Sequence, residues 1–212
     1  MKVLDNYGGG HERNDTPLLF RGGCSEEINH GIRVSNLAYY VGKELGLYEN
    51  QCYELAVAGM VHDIGKLCVS GYLYGRHEDT LKIEEMKYVR MHPRLGYDLL
   101  MRYDFSDDVI ETILYHHENY DGSGYPENLS GDQIPLGARI LRVCDVYAAL
   151  TSDRPYRRAF DADAAVELMI DEVKNFDIKV FLAFQRVIHE EQVADKWAIQ
   201  RLKVRITEED MK

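Results

Sequence analysis

The sequence has no long apolar run and no excess of positive charge, and these two absences exclude large classes of function. No stretch of about 18 consecutive apolar residues occurs, and no apolar segment follows the first methionine, so we expect neither a membrane span nor a secretory signal. The formal net charge is −11, which argues against general nucleic-acid binding because such proteins present a basic face. A small anionic ligand is still allowed, since bound divalent metals would cancel part of the negative charge locally.

Paired cysteines, internal repeats and strong strand patterns are missing as well. Cys24, Cys52, Cys68 and Cys144 are scattered and form no CxxC motif, which favours a reduced, cytoplasmic chain without a zinc finger. What is present is a chain of 212 residues, 45% of them hydrophobic, which is enough for one domain with a proper core. Helical periodicity with only weak strand patterns predicts an all-α fold.

Turn formers and apolar spacing divide the chain into helices and loops. We expect a Gly-rich, polar lead-in over residues 1–24, a helical domain over 25–192 and a C-terminal helix and tail over 193–212. Residues 70–81 and 119–137 are dense in turn formers and are expected to be loops, and a loop as long as the second is usually functional. The predicted helices cover about 26–45, 50–62, 82–91, 94–102, 106–117, 138–152, 162–174, 177–192 and 193–204.

Pairs of metal-binding residue types stand at the ends of predicted helices. Glu26 and His30 are one helical turn apart, so both can reach one metal cluster, unless they form an ordinary exposed pair. His62 and Asp63 end an apolar helix, and Gly65 is expected to let the chain turn so that both side chains point into one cavity. A carboxylate in that position can bridge two metals.

Lys66, His92 and the pair His116–His117 each allow two interpretations. Lys66 lies one turn after the carboxylate, where it can meet a phosphate oxygen or simply favour the helix C-terminus. Pro93 favours an extended His92, which is either a ligand or an ordinary surface histidine. His116 and His117 point about 100° apart on a helix, so both can bind metal, or one binds and the other is a core group.

Asp145 is the most informative single residue because it lies in an apolar helix, ARILRVCDVYAAL. A buried, unpaired carboxylate is costly, so Asp145 is either paired with Arg139 or Arg142 or bound to a metal. Imidazole and carboxylate ligands without thiolates suit iron, manganese or zinc, and the candidate ligands are too many for one ion, so we infer two or three metals. Paired metals clamp a phosphate and hold a hydroxide for in-line attack, which predicts phosphoester hydrolysis.

Four motifs in one order resemble the HD-GYP domains, a subgroup of the HD phosphohydrolase superfamily. They are HDIGK at 62–66, HPxxG at 92–96, HHExxDGxGYP at 116–126 and DxYxAL followed by RPYR at 145–157. The similarity covers residues 26 to 190. It implies an HD-domain helical bundle with a metal site in its core and a long GYP loop, acting as a metal-dependent phosphodiesterase that hydrolyses cyclic di-GMP to pGpG, GMP or both.

The resemblance also implies a role for each matching position. Asp63 and Lys66 would be catalytic, with Lys66 contacting the scissile phosphate. Gly124, Tyr125 and Pro126 would shape the substrate pocket and serve recognition of a protein partner, and Arg154 and Arg157 would hold substrate phosphates through their planar donors. Two or three divalent ions, iron or manganese, are implied, the third depending on Glu26. The implied metal ligands are Glu26, His30, His62, Asp63, His92, His116, His117 and Asp145.

Two departures from the family pattern leave other functions open. The segment that follows residue 66 and the pair Asn119–Tyr120 differ from the usual family sequence, which allows cyclic GMP-AMP or another nucleotide as the substrate. A non-catalytic module that binds cyclic di-GMP is a further alternative. No receiver, PAS or membrane sensor segment precedes the motifs, so we expect regulation through the short N-terminus, an oligomer, a partner, or metal and redox state. The oligomeric state stays open, and a dimer is compatible with the sequence.

Overall fold

Helices make up the regular structure of the chain. The computed structural model describes residues 18–68, 87, 89–154 and 157–189, with side chains from Glu26 onward. Within these ranges the extended pairing is limited to an isolated bridge between Arg154 and Arg157, so the predicted all-α class is confirmed. The helices are α1 (Leu18–Glu44), α2 (Glu49–Val61), α3 (His92–Leu100), α4 (Asp107–Tyr115), α5 (Leu136–Leu150), α6 (Ala162–Asp171) and α7 (Ile178–His189). Short 3-10 turns cover Gly131–Gln133 and Val173–Asn175.

Local capping explains several of these boundaries. The side chain of Ser106 accepts a hydrogen bond from the backbone N–H of Val109 at 3.3 Å, and α4 begins after it as predicted. Asp161 caps α6 in the same way, accepting from the N–H of Ala164 at 2.8 Å. Gly46, with a φ of 77°, follows the end of α1, a backbone conformation that glycine adopts without a Cβ penalty.

Two predicted helix starts are wrong. α1 begins at Leu18 rather than near residue 26, so its first turns fall within the expected lead-in, and the weak helix propensity of Gly22 and Gly23 does not end it. His92 opens α3 instead of being extended, because Pro93 stands in the first helical turn, where no backbone N–H is needed. The predictions for residues 1–17, 70–81, most of 82–91 and 193–212 lie outside the described residues.

α5 is the central helix. It packs against α1, α2, α4, α6 and α7, and its residues Ile140, Leu141, Val143 and Cys144 are completely buried. The core around it is aliphatic on the side of α1 and α4 and aromatic on the side of α7, where Phe184 lies. No helix in the described part of the chain is long and apolar enough to cross a bilayer.

α1 and α2 cross with their backbones in direct contact at Gly59. A Cβ placed on Gly59 would lie 2.8 Å from both the N and the Cα of Ser35 on α1, closer than side chains tolerate. This crossing brings His30 of α1 next to His62 at the end of α2, with ring centroids 5.2 Å apart. The helix contact therefore sets the distance between two predicted ligands.

We expect Gly59→Ala to destabilise the protein by about 1–3 kcal/mol, because the added methyl group must push two packed backbones apart. Thermal unfolding checks this, since each kcal/mol lowers the Tm by about 2–4 °C in a chain of this size. Val57→Ala is the matched control, because Val57 lies on the same helix and is 41% exposed. Equal Tm values for the two variants would contradict a tight crossing.

Candidate metal centre

Side chains from separate helices meet in one cluster of histidines and carboxylates. In the described part of the chain, two groups of potential ligands have atoms that all lie within 4.8 Å of one another. Site A is His30, His62 and Asp63, and site B is His92, His116 and His117. Asp145 adjoins site A, with its Oδ1 2.9 Å from the Nε2 of His30 and 3.7 Å from that of His62.

Helix ends place most of these residues. His62 and Asp63 directly follow α2, His116 and His117 directly follow α4, and His92 opens α3, whereas His30 and Asp145 lie within α1 and α5. Beyond a helix end the chain leaves the helical repeat, so consecutive side chains can face the same point. The structure thus brings together every predicted ligand except Glu26.

Three histidines are each oriented by the backbone carbonyl three residues earlier in the chain. The Nδ1 of His62 lies 2.8 Å from the oxygen of Gly59, and the Nδ1 of His116 lies 2.6 Å from that of Ile113. The Nδ1 of His92 has the same contact, 2.7 Å from the oxygen of Val89. A carbonyl only accepts, so each Nδ1 carries the proton and each Nε2 of a neutral ring presents a lone pair to the cluster.

These lone pairs face one another and face carboxylates, so the cluster requires positive charge. The Nε2 atoms of His92 and His116 are 3.2 Å apart. The Nε2 of His62 is buried, has no hydrogen-bond partner among the described residues and lies 3.3 Å from the Oδ2 of Asp63. Burial acts against it, yet Asp63 and Asp145 raise the pKa of His62 well above its usual value, so a cation is attracted to that nitrogen. The residues present therefore fit metal ions.

Asp63 belongs to site A and also faces site B. Its Oδ2 faces His62, and its Oδ1 lies 3.2 Å from the Nε2 of His92. Burial would raise the pKa of Asp63, but the neighbouring imidazoles and the Lys66 ammonium hold it well below its usual value. An ionised carboxylate with one oxygen toward each group is placed to bridge two ions.

The remaining charge states also suit metal binding. Burial lowers the pKa of His117 to about 3. Burial and the neighbouring imidazoles hold the pKa of His116 well below its usual value. Burial would raise the pKa of Asp145, but His30 and His62 hold it well below its usual value. Near pH 7 these imidazoles are neutral and this carboxylate is ionised, which are the forms that coordinate metals.

Lys66 extends from the cluster toward solvent. Its Nζ lies 2.5 Å from the Oδ2 of Asp63, and its side chain is 38% exposed. Burial acts against it, but the charge of Asp63 raises the pKa of Lys66, so the group stays cationic. An ammonium ion at the mouth of the cluster can meet an anionic substrate, as the motif predicted.

Gly65 has a role different from the predicted one. A turn covers residues 62–64, and Gly65 opens a helical stretch over 65–68 rather than capping α2. A Cβ on Gly65 would lie 2.0 Å from the carbonyl oxygen of His92 and 2.6 Å from the N of Gly96. The residue therefore permits the first turn of α3 to approach, which sets His92 beside Asp63.

Glu26 is the predicted ligand that the structure leaves outside the cluster. It is exposed on α1 and belongs to neither site A nor site B in the described part of the chain. The Oε2 of the neighbouring residue Glu27 lies 3.9 Å from the Nζ of Lys66, at the edge of the cluster. The role of Glu26 in a third metal site stays a prediction.

The alternative that Asp145 forms a salt bridge with an arginine of its own helix is wrong. Arg139 pairs instead with Asp177 at 2.7 Å, and with Asp132 on the surface. Arg142 donates from its Nε to the Oδ1 of Asn119 at 2.9 Å. The carboxylate of Asp145 thus faces His30 and His62, which is the arrangement that the metal interpretation required.

The segment Gly124–Pro126 lies against site B. The ring of Tyr125 stacks on that of His117, with centroids 4.9 Å apart and 25° between the planes. Gly124 is buried so closely against the preceding turn that a Cβ would lie 2.2 Å from the N of Asn119. The predicted loop is therefore a fixed wall of the cluster.

The two arginines predicted to hold phosphate differ in what they contact. Arg157 donates to the carbonyl oxygens of Ala149 and Leu150, both at 3.0 Å, and its guanidinium lies over the ring of Phe160. It therefore caps the C-terminus of α5, a use that a cation there favours. Arg154 is paired with Arg157 through backbone hydrogen bonds of 2.7 and 3.0 Å and is half-buried.

Glu118 is a residue of the site to which the motif analysis gave no role. Its side chain is 1% exposed, and its Oε1 accepts the backbone N–H of Glu127 at 2.6 Å. Its Oε2 is buried and has no hydrogen-bond partner among the described residues, and burial raises the pKa of this carboxyl, while the nearby N–H groups of Glu127, Leu129 and Asn128 act against that rise. Glu118 thus fixes the chain just after Tyr125. Its place directly after the histidine pair was the available signal, because a carboxylate beside buried residues needs donors.

Arg33 was also missed. Its Nη1 donates to the carbonyl oxygen of Thr151 at 3.0 Å and to the Oγ of Ser152 at 2.8 Å, and its Nη2 donates to the Oγ1 of Thr151 at 2.8 Å. These bonds tie α1, close to His30, to the end of α5, close to Asp145. No local pattern indicates such a contact, because its two ends are more than a hundred residues apart in the sequence.

Comparison with known proteins places this geometry in a family. The family model for the HD domain matches residues 17–180. The chain therefore belongs to the HD-domain family, whose members bind divalent metals. The resemblance to the HD-GYP group that the motifs indicated is confirmed.

Individual relatives agree with this assignment. The chain is 38% identical over 160 residues to the cyclic di-GMP phosphodiesterase PA4108 of Pseudomonas aeruginosa, covering 75% of this chain and 38% of that protein. It is 36% identical over 156 residues to the 3'3'-cGAMP-specific phosphodiesterase 1 of Vibrio cholerae, covering 73% of this chain and 36% of that one. The structure of Bd1817, an HDGYP protein from Bdellovibrio bacteriovorus, matches with a TM-score of 0.61 at 21% identity over 77% of this chain and 53% of that chain. The chain thus spans well under half the length of these curated relatives.

We expect Glu118→Gln to loosen the loop around Tyr125, because a neutral amide oxygen accepts the backbone N–H of Glu127 more weakly than a carboxylate oxygen does. Weakening a hydrogen bond to a charged acceptor favours local opening by about 10- to 100-fold. Hydrogen exchange of peptides covering residues 124–130 measures this. Glu127→Gln is the control, because the exposed Glu127 side chain pairs only with Arg94 among the described residues. Equal exchange in both variants would contradict the anchoring role.

Proposed function

We propose that this chain is a metal-dependent phosphodiesterase that hydrolyses cyclic di-GMP to pGpG, GMP or both. The observation that carries the proposal is the position of Asp63, with one oxygen toward site A and the other toward site B. Two ions separated by a bridging carboxylate are the arrangement that phosphoester hydrolysis uses. The names of the relatives support this substrate class.

The residues around the cluster have separable roles in this reaction. Bound divalent ions would supply Lewis acidity and an activated water for attack on phosphorus. Asp63 holds the two halves of the site together and keeps its negative charge at neutral pH. Lys66 places a positive charge at the mouth, where charge builds on the phosphoryl oxygens as the P–O bond breaks.

The donor set narrows the choice of metal. Imidazoles and carboxylates without thiolates accept first-row ions, and we propose iron or manganese, two per chain, one for each of sites A and B. The free thiols of Cys52, Cys68 and Cys144 support a reducing, cytoplasmic location.

The substrate pocket is proposed to lie beside the segment Gly124–Pro126. Tyr125 offers an aromatic wall, and Arg154 remains the proposed phosphate ligand of the pair, since Arg157 is engaged in capping α5. The exposed side chains Ser123 and Glu127 leave the outer edge of this loop accessible to a protein partner. Partner recognition by the loop stays a prediction, as does a dimer.

A second candidate substrate is cyclic GMP-AMP. The 3'3'-cGAMP-specific relative is nearly as similar to this chain as the cyclic di-GMP phosphodiesterase is. The family resemblance alone therefore does not decide between cyclic di-GMP and cyclic GMP-AMP as the substrate. The third alternative, a module that binds the dinucleotide without turnover, has less support because the ligands of sites A and B are all in place. Measuring kcat/KM for cyclic di-GMP and for cyclic GMP-AMP decides between these two candidate substrates.

Asp63→Ala is expected to lower the hydrolysis of cyclic di-GMP by at least about 100-fold, because it removes the bridge and a group that orients Lys66. Chromatography of products after anaerobic incubation with Fe(II) or Mn(II) measures it. Asp98→Ala is the control, since Asp98 is an exposed carboxylate on α3. Product formation by the Asp63 variant at the control rate would refute the assignment, and binding without turnover by the wild type would favour the module.

Glu26→Gln is expected to leave the metal content per chain unchanged, because Glu26 is exposed and outside both groups. Elemental analysis of protein loaded without oxygen measures this directly. Glu27→Gln, the neighbouring residue on α1, is the matched control. Loss of one ion per chain in the Glu26 variant alone would instead establish a third metal site.

A further inference from the structure

Arg142 occupies a position beside the cluster that the proposed mechanism does not use. It lies on α5, one turn before Asp145, so the two side chains share a helix face. Its Nε donates to the Oδ1 of Asn119 at 2.9 Å, which ties the guanidinium to the loop that carries Tyr125. The side chain is half-buried rather than sealed in the core.

The charge of Arg142 acts on the residues around the pocket without being neutralised by them. Burial raises the pKa of Tyr125 to about 12, and the positive charge of Arg142 acts against that rise. Burial lowers the pKa of Arg142 itself, while Asp145 acts in the opposite direction. Yet among the described residues no ion pair within 4.0 Å joins Arg142 to Asp145 or Asp63. The guanidinium is thus within electrostatic reach of Asp145 but is not neutralised by an ion pair with either carboxylate.

Of the other half-buried arginines, Arg154 is the phosphate ligand already proposed, and the remaining three are engaged differently. Arg33 binds Thr151 and Ser152, Arg139 binds Asp177, and Arg157 binds carbonyl oxygens at the end of α5. Among the described residues, Asn119 is the one acceptor of Arg142, and it takes the Nε–H. The donors on the two Nη atoms are thus left for a ligand, and their planar arrangement suits the paired oxygens of a phosphate.

We propose that Arg142 binds the phosphate of the cyclic dinucleotide that is not being cleaved. This rests on the proposed function, in which the scissile phosphate lies at Asp63 and Lys66. Arg142 is tied to Asn119 of the loop and forms no ion pair with Asp63 among the described residues, so we assign it to the second phosphate rather than the first. Asn119 fixes the orientation of the guanidinium, and Arg142 is therefore a substrate-binding residue that discriminates dinucleotides from simpler phosphodiesters.

The test compares Arg142→Gln with Asn119→Ala, which removes the tether, and with Arg142→Lys. Because Asn119 also donates from its Nδ2 to the Oγ of Ser123 at 3.0 Å, Ser123→Ala is made to measure the loss of that second bond alone. Arg102→Gln is the control for charge, because exposed Arg102 lies beyond the far end of α3, about 15 Å along the helix axis from His92. Substrates are cyclic di-GMP and bis(p-nitrophenyl) phosphate, which has a single phosphate. Calorimetric titration of cyclic di-GMP into each protein gives binding independently of turnover.

Arg142→Gln is expected to raise KM and Kd for cyclic di-GMP by about 10- to 100-fold with little change in kcat, since a charged hydrogen-bonding pair is lost. Hydrolysis of bis(p-nitrophenyl) phosphate stays at the wild-type rate, Arg142→Lys recovers part of the affinity, and Asn119→Ala has a smaller effect. Unchanged affinity in Arg142→Gln overturns the inference, as does an equal loss with both substrates. A loss in Asn119→Ala as large as that in Arg142→Gln would also overturn it, since Arg142 would then only anchor the loop.

Failure of the proposed function has a different signature. A wild-type protein that hydrolyses bis(p-nitrophenyl) phosphate but not cyclic di-GMP would refute the assigned substrate. Cyclic GMP-AMP, which carries the same two phosphates, then replaces cyclic di-GMP in the same comparison of variants. If the wild type binds neither dinucleotide, the inference about Arg142 fails together with the substrate class.

Discussion

Asp63 and Asp145 stay ionised inside a helical bundle, and the rest of the site follows from the charge they require. Carboxylates are retained in such a place only with positive charge and donors beside them. Three histidines turn their Nε2 atoms inward and Lys66 contacts Asp63, but two of these nitrogens still face each other at 3.2 Å. The cluster therefore suits bound cations, and ions that bind the folded chain and not the unfolded one would add to the stability of the fold.

Much of this site was accessible from the sequence because its ligands sit at helix ends. The pairs His62–Asp63 and His116–His117 follow apolar helices, and turn formers after them mark where the chain leaves the helical repeat. Asp145 was found by a different route, as a carboxylate among apolar neighbours whose partner had to be a metal or an arginine. Its contact with His30, rather than with Arg139 or Arg142, removes the second alternative.

What the sequence could not provide depends on contacts that form only in the folded chain. Arg157 was predicted to hold phosphate because its residue type and motif suit that role, but the carbonyl oxygens at the end of α5 take its donors. Gly65 was expected to turn the chain, and it instead allows α3 to approach. In both cases the correct residue was identified from the sequence. The groups that Arg157 and Gly65 contact, which decide their roles, could not be read from the motifs that contain them.

The carbonyl contacts of the histidines have a consequence for how this family diverges. His62, His92 and His116 are each oriented by a carbonyl oxygen three residues earlier. The direction of each of these rings is therefore set by the backbone of four consecutive residues. Core side chains can then be exchanged without rotating the rings, provided that the helix ends keep their places. The match to a fold at 21% identity is compatible with this, because substitutions in the packing around the turns need not change the direction of the rings.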